Sequence, residues 1–266
     1  MAANPQTFLI TGANGTVGTA LCEAIRAKGN RAIGWDRSRV RPGDEWAAKA
    51  YVEGIAPSAI FHLAMPSVPT GMENEGWIVN EKWTADIATA AAERDIPFVY
   101  VSTVMVYTNH AVGPFTPDVP PDEAEGYGGG KRRGELAALG ANPESRIARL
   151  GWQIGRARGG NNMIEFLEKQ QEERGEITAS TKWLTGTSFV DDTANGLLAV
   201  AGFASGTYHV GSNTRWNFFE IVSALNAVHG NRWNVRATED FVYDQRLMDE
   251  RVPMPRLEDR LPLLKP

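Results

Sequence analysis

The sequence holds a single cysteine, Cys22, in 266 residues. One thiol excludes an internal disulfide framework and fits a reducing compartment, here read as the cytoplasm. Cys22 falls on the apolar face of a helical pattern, so it reads as a buried spectator. Long apolar runs are also missing. None approaches the roughly 20 residues that a membrane helix needs, so no membrane span is expected. Basic excess is missing too: the net charge is −5, which leaves no electrostatic footprint for nucleic acid. The four histidines are scattered and match no metal-ligand spacing, so no metal site is expected. His62 sits in the apolar run Ile60 to Ala64 and reads as a hydrogen-bonded core histidine. The segment Met1 to Gln6 is too short and polar for a secretory leader.

What the chain does contain is 42% hydrophobic residues, ample for a packed core. Its length suits one large domain, or a core plus a small lobe. Short apolar runs at 7–11, 31–36, 59–64, 97–103 and 145–150 alternate with helical patterns at 17–28, 45–55, 73–94 and 126–140. Such alternation predicts an α/β fold, a doubly wound parallel sheet with helices on both faces. Residues 1–150 form the dinucleotide-binding core in this reading. Residues 151–266 supply the remaining core elements and a small C-terminal substrate lobe within one integrated domain. Helical patterns recur there at 161–174, 189–201 and 217–229, with a strand at 206–211. Glu168 to Arg174 reads as a solvated helix face. The tail from 240 is rich in Pro and Arg and poorly periodic.

The most informative stretch is Thr11-Gly12-Ala13-Asn14-Gly15-Thr16-Val17-Gly18. An apolar strand precedes it and a helix follows, so its glycines occupy a strand-to-helix turn. Backbone N–H groups in such a turn approach a pyrophosphate, and the helix dipole favours the negative charge. Gly12, Asn14, Gly15, Thr16, Val17 and Gly18 are therefore candidate cofactor contacts. Asp36, eighteen residues past the last glycine, is placed to bind the adenosine ribose. A carboxylate there repels a 2′-phosphate and favours NAD. Arg37, Arg39 and Arg41 keep NADP open, with Arg37 the nearest. Asn14-Gly15-Thr16 matches a glycosylation pattern, which is accidental in a phosphate loop. In a parallel sheet, ligands bind beyond the carboxyl ends of the strands. Thr11, Asp36, Ala64 and Thr103 fall at such ends and are expected to line one crevice. Leu63 and Met65 flank Ala64 and join the candidate cofactor contacts.

Tyr127-Gly128-Gly129-Gly130-Lys131 opens a helix, and a spacing of four puts Tyr127 and Lys131 on one face. A neighbouring ammonium stabilises a phenolate, so the Tyr127 pKa is expected to fall toward neutrality. Such a tyrosine can give or take a proton at a substrate oxygen. A Tyr and a Lys at this spacing also occur on ordinary helix faces. Three glycines in a helix each cost about 1 kcal/mol relative to Ala, which suggests a close approach by a neighbour; a frayed first turn is the alternative. Ser102 and Thr103 end a strand, where a hydroxyl can hold the substrate oxygen or merely cap the loop.

Together these motifs resemble the extended short-chain dehydrogenase/reductases: the Gly12–Gly18 turn, Ser102-Thr103-x-x-Val106-Tyr107 and Tyr127-x-x-x-Lys131. Tyr127-Gly128-x-x-Lys131-x-x-Gly134-Glu135 looks like the sugar-nucleotide branch. Ile60 to Ala64, Val79-Asn80, Arg149 to Trp152 and Phe189 to Ala194 resemble it as well. Within that branch, the short link between Asp36 and the 59–64 strand is similar to the dTDP-dehydrorhamnose reductase group. The resemblance implies an NAD(P)-dependent oxidoreductase acting on a sugar or nucleotide-sugar carbonyl. It implies that Thr103 orients the substrate oxygen, Tyr127 is the acid/base, Lys131 holds the nicotinamide ribose, and Trp152 contacts the sugar beside Ser102. It further suggests that Asp44 accepts from the adenine amino group, where a turn-forming Asp is the plain alternative. A homodimer through the helices at 73–94 and 126–140 is a family expectation. Met65 to Gly71 replaces the acidic loop typical of the reductases, and the second half is short. A nucleotide-sugar epimerase or dehydratase, a sugar-acid dehydrogenase and a cofactor-sensing regulatory subunit remain alternatives. Val104-Met105 offers no acid/base pair for a dehydratase. Arg251 and Arg256 either meet a substrate diphosphate or belong to a solvated tail.

Overall fold

The computed structural model describes residues 4–66, 71 and 73–265. Residues 67–70 of the Met65 to Gly71 stretch, and Met1 to Ala3 of the opening segment, lie outside them. The first half runs β1 (Thr7–Thr11), α1 (Thr16–Ala27), β2 (Arg31–Gly34), α2 (Glu45–Ile55), β3 (Ala59–His62), α3 (Glu75–Trp77), a π turn at Ile78–Lys82, α4 (Trp83–Ala92), β4 (Phe98–Thr103), a 3₁₀ turn at Val104–Val106, α5 (Gly126–Ala141) and β5 (Arg146–Leu150). The second half adds β6 (Trp152–Ile154), α6 (Met163–Arg174), β7 (Ile177–Ser180), β8 (Trp183–Leu184), β9 (Thr187–Phe189), α7 (Val190–Ala201), β10 (Gly206–Val210), α8 (Phe218–Val228), β11 (Val235–Thr238), β12 (Tyr243–Asp244) and α9 (Leu257–Arg260).

Six strands make one parallel sheet in the order β10-β5-β4-β3-β1-β2. The expected doubly wound α/β sheet is therefore present, and β10 returns from the second half to complete it. Strand order reverses between β1, whose next strand lies on one side, and β3, which lies on the other. The crevice at such a switch point is where an open parallel sheet binds ligands.

Both faces of the sheet are covered, which is why its inner strands read as continuous apolar runs. Phe8, Ile10, Val99 and Val101 pack with Leu21 and Ile25 of α1 and Leu197 and Val200 of α7. Leu9, Ile60, Phe98 and Tyr100 pack on the other side with Val52, Trp83, Ile87 and Ala138. Cys22 is buried in the first of these clusters, as its place on the helix face predicted.

Two expected elements differ. The second strand stops at Gly34 rather than residue 36. Trp35 is buried because its ring packs edge-on against Tyr51 and Trp83 and its Nε1 donates to the Val40 carbonyl, not because it continues the strand. The expected helix at 73–94 is broken into α3, the π turn and α4. The wider π turn brings Asn80 against α5, where a Cβ on Gly130 would lie 3.0 Å from its Nδ2.

The glycine triplet of α5 is explained by close approach. A Cβ on Gly128 would sit 1.9 Å from the Met105 carbonyl oxygen, so the helix packs directly on the turn after β4. All three glycines are buried within the helix, which rules out a frayed start.

The small lobe has its own core, in which Ile154, Leu167, Ile177, Trp216, Ile221 and Leu225 cluster. The tail is not loose: Leu257, Leu261 and Leu264 are buried in this core. Arg251 is correspondingly not free for a diphosphate. It forks onto Asp249 and lies 4.5 Å from the Tyr208 ring centroid. Arg256 opens α9, its backbone N–H donating to Asp259.

Candidate active site and cofactor cradle

The glycine turn is built as the motif requires. Gly12 has φ +68°, and a Cβ there would stand 3.1 Å from the backbone of Leu63 and Ala64. At Gly18 a Cβ would meet the Gly12 carbonyl oxygen at 2.1 Å, so α1 packs tightly against the turn. Gly15 is the N-cap of α1 and its side-chain-free position leaves the helix N–H groups uncapped. Thr16 and Val17 follow in the first turn, and Asn14 is exposed at its mouth. A cradle that side chains would fill, at a bare helix N-terminus, fits a pyrophosphate. Leu63 and Ala64 donate their N–H groups to Thr11 Oγ1, both at 3.1 Å. Met65 continues from them, half-buried. Thr11 itself is fully buried and also bonds His62 Nδ1 at 2.9 Å, so it supports the crevice from beneath instead of lining it. His62 completes its bonding with Thr84 at 3.1 Å, and burial pulls its pKa down to about 3. It is the neutral core histidine the sequence implied.

Asp36 lies just past β2, exposed, its Oδ1 accepting from the Ser38 N–H (2.9 Å) and hydroxyl (2.6 Å). The Ser38 bonds hold its carboxyl below the usual range, so it stays ionised. Arg37 is exposed beside it. Asp44 caps α2, accepting from the Ala47 N–H at 3.0 Å.

Thr103 ends β4, and Tyr127 and Lys131 lie one turn apart on α5, which packs on the turn after that strand. Thr103 Oγ1 accepts from the Met105 N–H at 3.2 Å, which leaves its own proton to donate, and its hydroxyl is near enough to the Tyr127 phenol to pull that group's pKa down. Lys131 is buried with its Nζ 4.3 Å from the centroid of the Tyr100 ring. Burial pulls the Lys131 pKa down to about 7, against an opposing pull from Glu135. The expectation for Tyr127 is thereby reversed: burial pushes its pKa up and the Thr103 hydroxyl offsets this only in part. A half-neutral lysine directed at Tyr100 gives the phenolate little support. The Tyr127 ring is 43% exposed, so solvent at the crevice mouth softens the rise.

Ser102 is not available to a substrate. It is 3% exposed and donates to Glu135 Oε1 at 2.5 Å, on the face of β4 opposite Thr103. Trp152 starts β6 and lies in an aromatic cluster, stacked 5.9 Å from Trp183 and 5.8 Å from Phe218.

Two features escaped the sequence reading. The loop after β6 covers the glycine turn: a 280 Å³ cavity lies between Asn14, Gly15, Thr16 and residues 155–160. Arg156 in that loop pairs with Glu23 of α1 and Asp191 of α7. Its signal was the glycine- and arginine-rich string Gly155 to Gly160. A 570 Å³ cavity lined by Arg156, Arg158 and Arg232 includes none of the three site residues, and all three arginines are ion-paired. Asn80 is the second feature: its Oδ1 is buried without a hydrogen-bond partner among the described residues, beside Gly130 of α5. Its only signal was Val79-Asn80. Among the described residues, no His, Cys, Asp and Glu cluster suits a metal ion, and no helix is long and apolar enough to cross a membrane.

A parallel sheet whose strand order reverses beside a glycine cradle at a helix N-terminus defines the class as a doubly wound α/β protein of the nucleotide-binding architecture. Comparison narrows this. Residues 6–245 match the family described as the RmlD substrate binding domain, and the chain belongs to that family. It is 27% identical over 242 residues to a dTDP-4-dehydrorhamnose reductase of Burkholderia thailandensis, covering 84% of this chain and 80% of that protein. It is 23% identical over 220 residues to the spore coat polysaccharide biosynthesis protein SpsK of Bacillus subtilis, covering 82% and 77%. The crystal structure of a dTDP-4-dehydrorhamnose reductase from Bacillus anthracis in complex with NADP shares the fold, with a TM-score of 0.82 at 21% identity, covering 98% of both chains.

Proposed function

We propose that the protein is an NAD(P)-dependent oxidoreductase that reduces a keto group on a nucleotide-linked sugar. What supports this is the placement of Thr103 at the end of β4 and of Tyr127 and Lys131 on the helix that packs on the turn after it, in the sheet whose β1 leads into the Gly12–Gly18 cradle. Gly12, Asn14, Gly15, Thr16, Val17 and Gly18 would hold the pyrophosphate, with Asp36 and Arg37 at the adenosine ribose. Leu63, Ala64 and Met65 would floor the crevice, and Lys131 would hold the nicotinamide ribose. When bound, the dinucleotide supplies the hydride. Thr103 donates its free hydroxyl proton to the substrate oxygen and orients it. Tyr127, whose raised pKa keeps it protonated, gives that oxygen its proton as negative charge develops there. Trp152 offers a ring face to the sugar.

Family relatives named as dTDP-4-dehydrorhamnose reductases support this substrate class. The test is oxidation of NADPH or NADH, followed by absorbance, with dTDP-4-dehydrorhamnose and other keto-sugar nucleotides. Net consumption of reduced cofactor supports a reductase, while interconversion of sugars without it indicates an epimerase. Asp36 favours NAD, whereas Arg37 offers a partner to a 2′-phosphate. Arg37→Ala is therefore expected to weaken NADP and spare NAD in fluorescence titrations, and equal losses would exclude Arg37 as the reader. We further read the protein as a cytoplasmic homodimer joined through the helical segment 73–94 and α5, where Trp77 of α3 and Leu136 of α5 are exposed (53% and 63%). Leu136→Glu should convert it to a monomer in analytical ultracentrifugation; an unchanged mass would remove this face as the interface.

A further inference from the structure

Behind the site lies a buried ion pair that the proposed chemistry does not use. Arg149 forks onto Glu135, Nε to Oε1 at 2.9 Å and Nη2 to Oε2 at 2.7 Å, and both side chains are almost fully buried. Ser102 donates to Glu135 Oε1, and Arg149 Nη1 donates to Tyr107 Oη at 2.6 Å. Ser102 and Arg149 are register partners on β4 and β5. The three anchor points have different owners. Ser102 precedes Thr103 on β4, Glu135 lies one turn past Lys131 on α5, and Tyr107 follows the 3₁₀ turn that packs on Gly128.

We propose that Glu135 is a positioning residue for the Thr103–Tyr127–Lys131 site. It ties the strand end that carries Thr103 to the helix that carries Tyr127 and Lys131, and its anion favours the Lys131 ammonium. This inference rests on the reductase reading. The groups around Lys131 support it. Tyr127 and Glu135 share its helix, Tyr100 faces it from β4, His62 from β3, and Arg149 and Glu81 lie beyond on β5 and the π turn. Tyr100 is held neutral by burial and His62 is neutral above acid pH. Arg149 is consumed by Glu135 and Glu81 by Arg133. Glu135 is thus the carboxylate that opposes the cost of burying the lysine, with Arg149 offsetting part of its charge. A bidentate Arg–carboxylate pair also fixes geometry in a way a single bond does not.

Two variants test this. Glu135→Gln keeps the shape and removes the charge, so Lys131 should lose its proton at lower pH. The alkaline limb of kcat should then move to lower pH, and so should the alkaline loss of NADPH affinity read by fluorescence. Ser102→Ala keeps the ion pair and cuts only the tether to the strand. It should lower kcat about tenfold, the rate equivalent of one hydrogen bond to a charged group, with KM and cofactor affinity near wild type. Folded Glu135→Gln with an unmoved alkaline limb in both readouts would overturn the electrostatic role. Ser102→Ala with wild-type kcat would overturn the tether, and it remains available if Glu135→Gln does not fold. The pH dependence of cofactor binding needs no turnover. Wild-type protein that reduces no keto-sugar nucleotide therefore defeats the reductase reading alone, while the binding limb still tests Glu135.

Discussion

Lys131 carries opposite demands. Its ammonium is buried against the Tyr100 ring with no direct carboxylate partner among the described residues, and burial brings its pKa to about 7. An unfolded lysine keeps its proton to about pH 10.4. Between these values the unfolded chain binds more protons, so stability rises with pH there and the buried lysine costs stability at neutral pH. Lys131→Met in the ligand-free protein should therefore melt higher than wild type at neutral pH while losing reductase activity. A lower melting temperature would mean that the contact with Tyr100 outweighs the burial cost. Tyr127→Phe removes only the hydroxyl and should cost kcat about 10²–10⁴-fold, the usual loss for a general acid; wild-type turnover would end its catalytic assignment. The pair was legible because a spacing of four defines one helix face. Ser102 was not separable from Thr103, because neighbouring strand residues point to opposite faces and only the packing of α5 shows which face is closed. The direction of the Tyr127 shift was illegible for a related reason: spacing reports proximity, not burial.

At the scale of elements, the inner strands were readable because a parallel sheet covered on both faces demands unbroken apolar runs. The edge strand was overrun by two residues, since Trp35 is buried by Tyr51 and Trp83 and not by sheet pairing. The break in the 73–94 helix left no periodic trace, because a π turn adds one residue to a turn without changing composition. The glycines of α5 gave a correct warning of close approach but not its source. That source yields a prediction. Gly128 faces the Met105 carbonyl, which is backbone and cannot swing aside. Gly128→Ala gains helix propensity of about 1 kcal/mol, yet the forced separation costs roughly 1–3 kcal/mol or more and moves Thr103 relative to Tyr127. Urea unfolding should show a net loss of stability, and kcat should fall with it. A stabilised Gly128→Ala would mean that α5 can slide away from the β4 turn.

The molecule as a whole is held across its layers by two neutral histidines. His62 joins β1, β3 and α4 through Thr11 and Thr84. His209 joins β10 to the segment before α5: its Nδ1 bonds the Phe115 carbonyl at 3.0 Å and its backbone N–H donates to Asp249. Burial pulls their pKa values down to about 3 and about 4. In the unfolded chain both titrate near 6.5. Their contribution is thus fully present above about pH 6.5 and is lost as pH falls from there toward 4 and then 3. In the upper part of that window the unfolded state binds two more protons than the folded one. Each proton gives a slope of about 1.4 kcal/mol per pH unit, so the pair approaches about 2.8. Asp86 and Asp192 oppose this at the acid end, since burial raises their carboxyl pKa values and the folded state takes up protons there. Lys131 is protonated in both states below pH 6 and drops out. Urea unfolding across this range should show stability falling steeply below about pH 6.5, separately from the rise that Lys131 sets above neutrality. His209→Gln keeps polar ends for the same bonds and removes one titration, so it should lower the slope near pH 6 by less than half, His62 and the smaller His229 shift supplying the rest. A wild-type slope in that variant would move the origin of acid lability away from the histidines and onto the carboxylates.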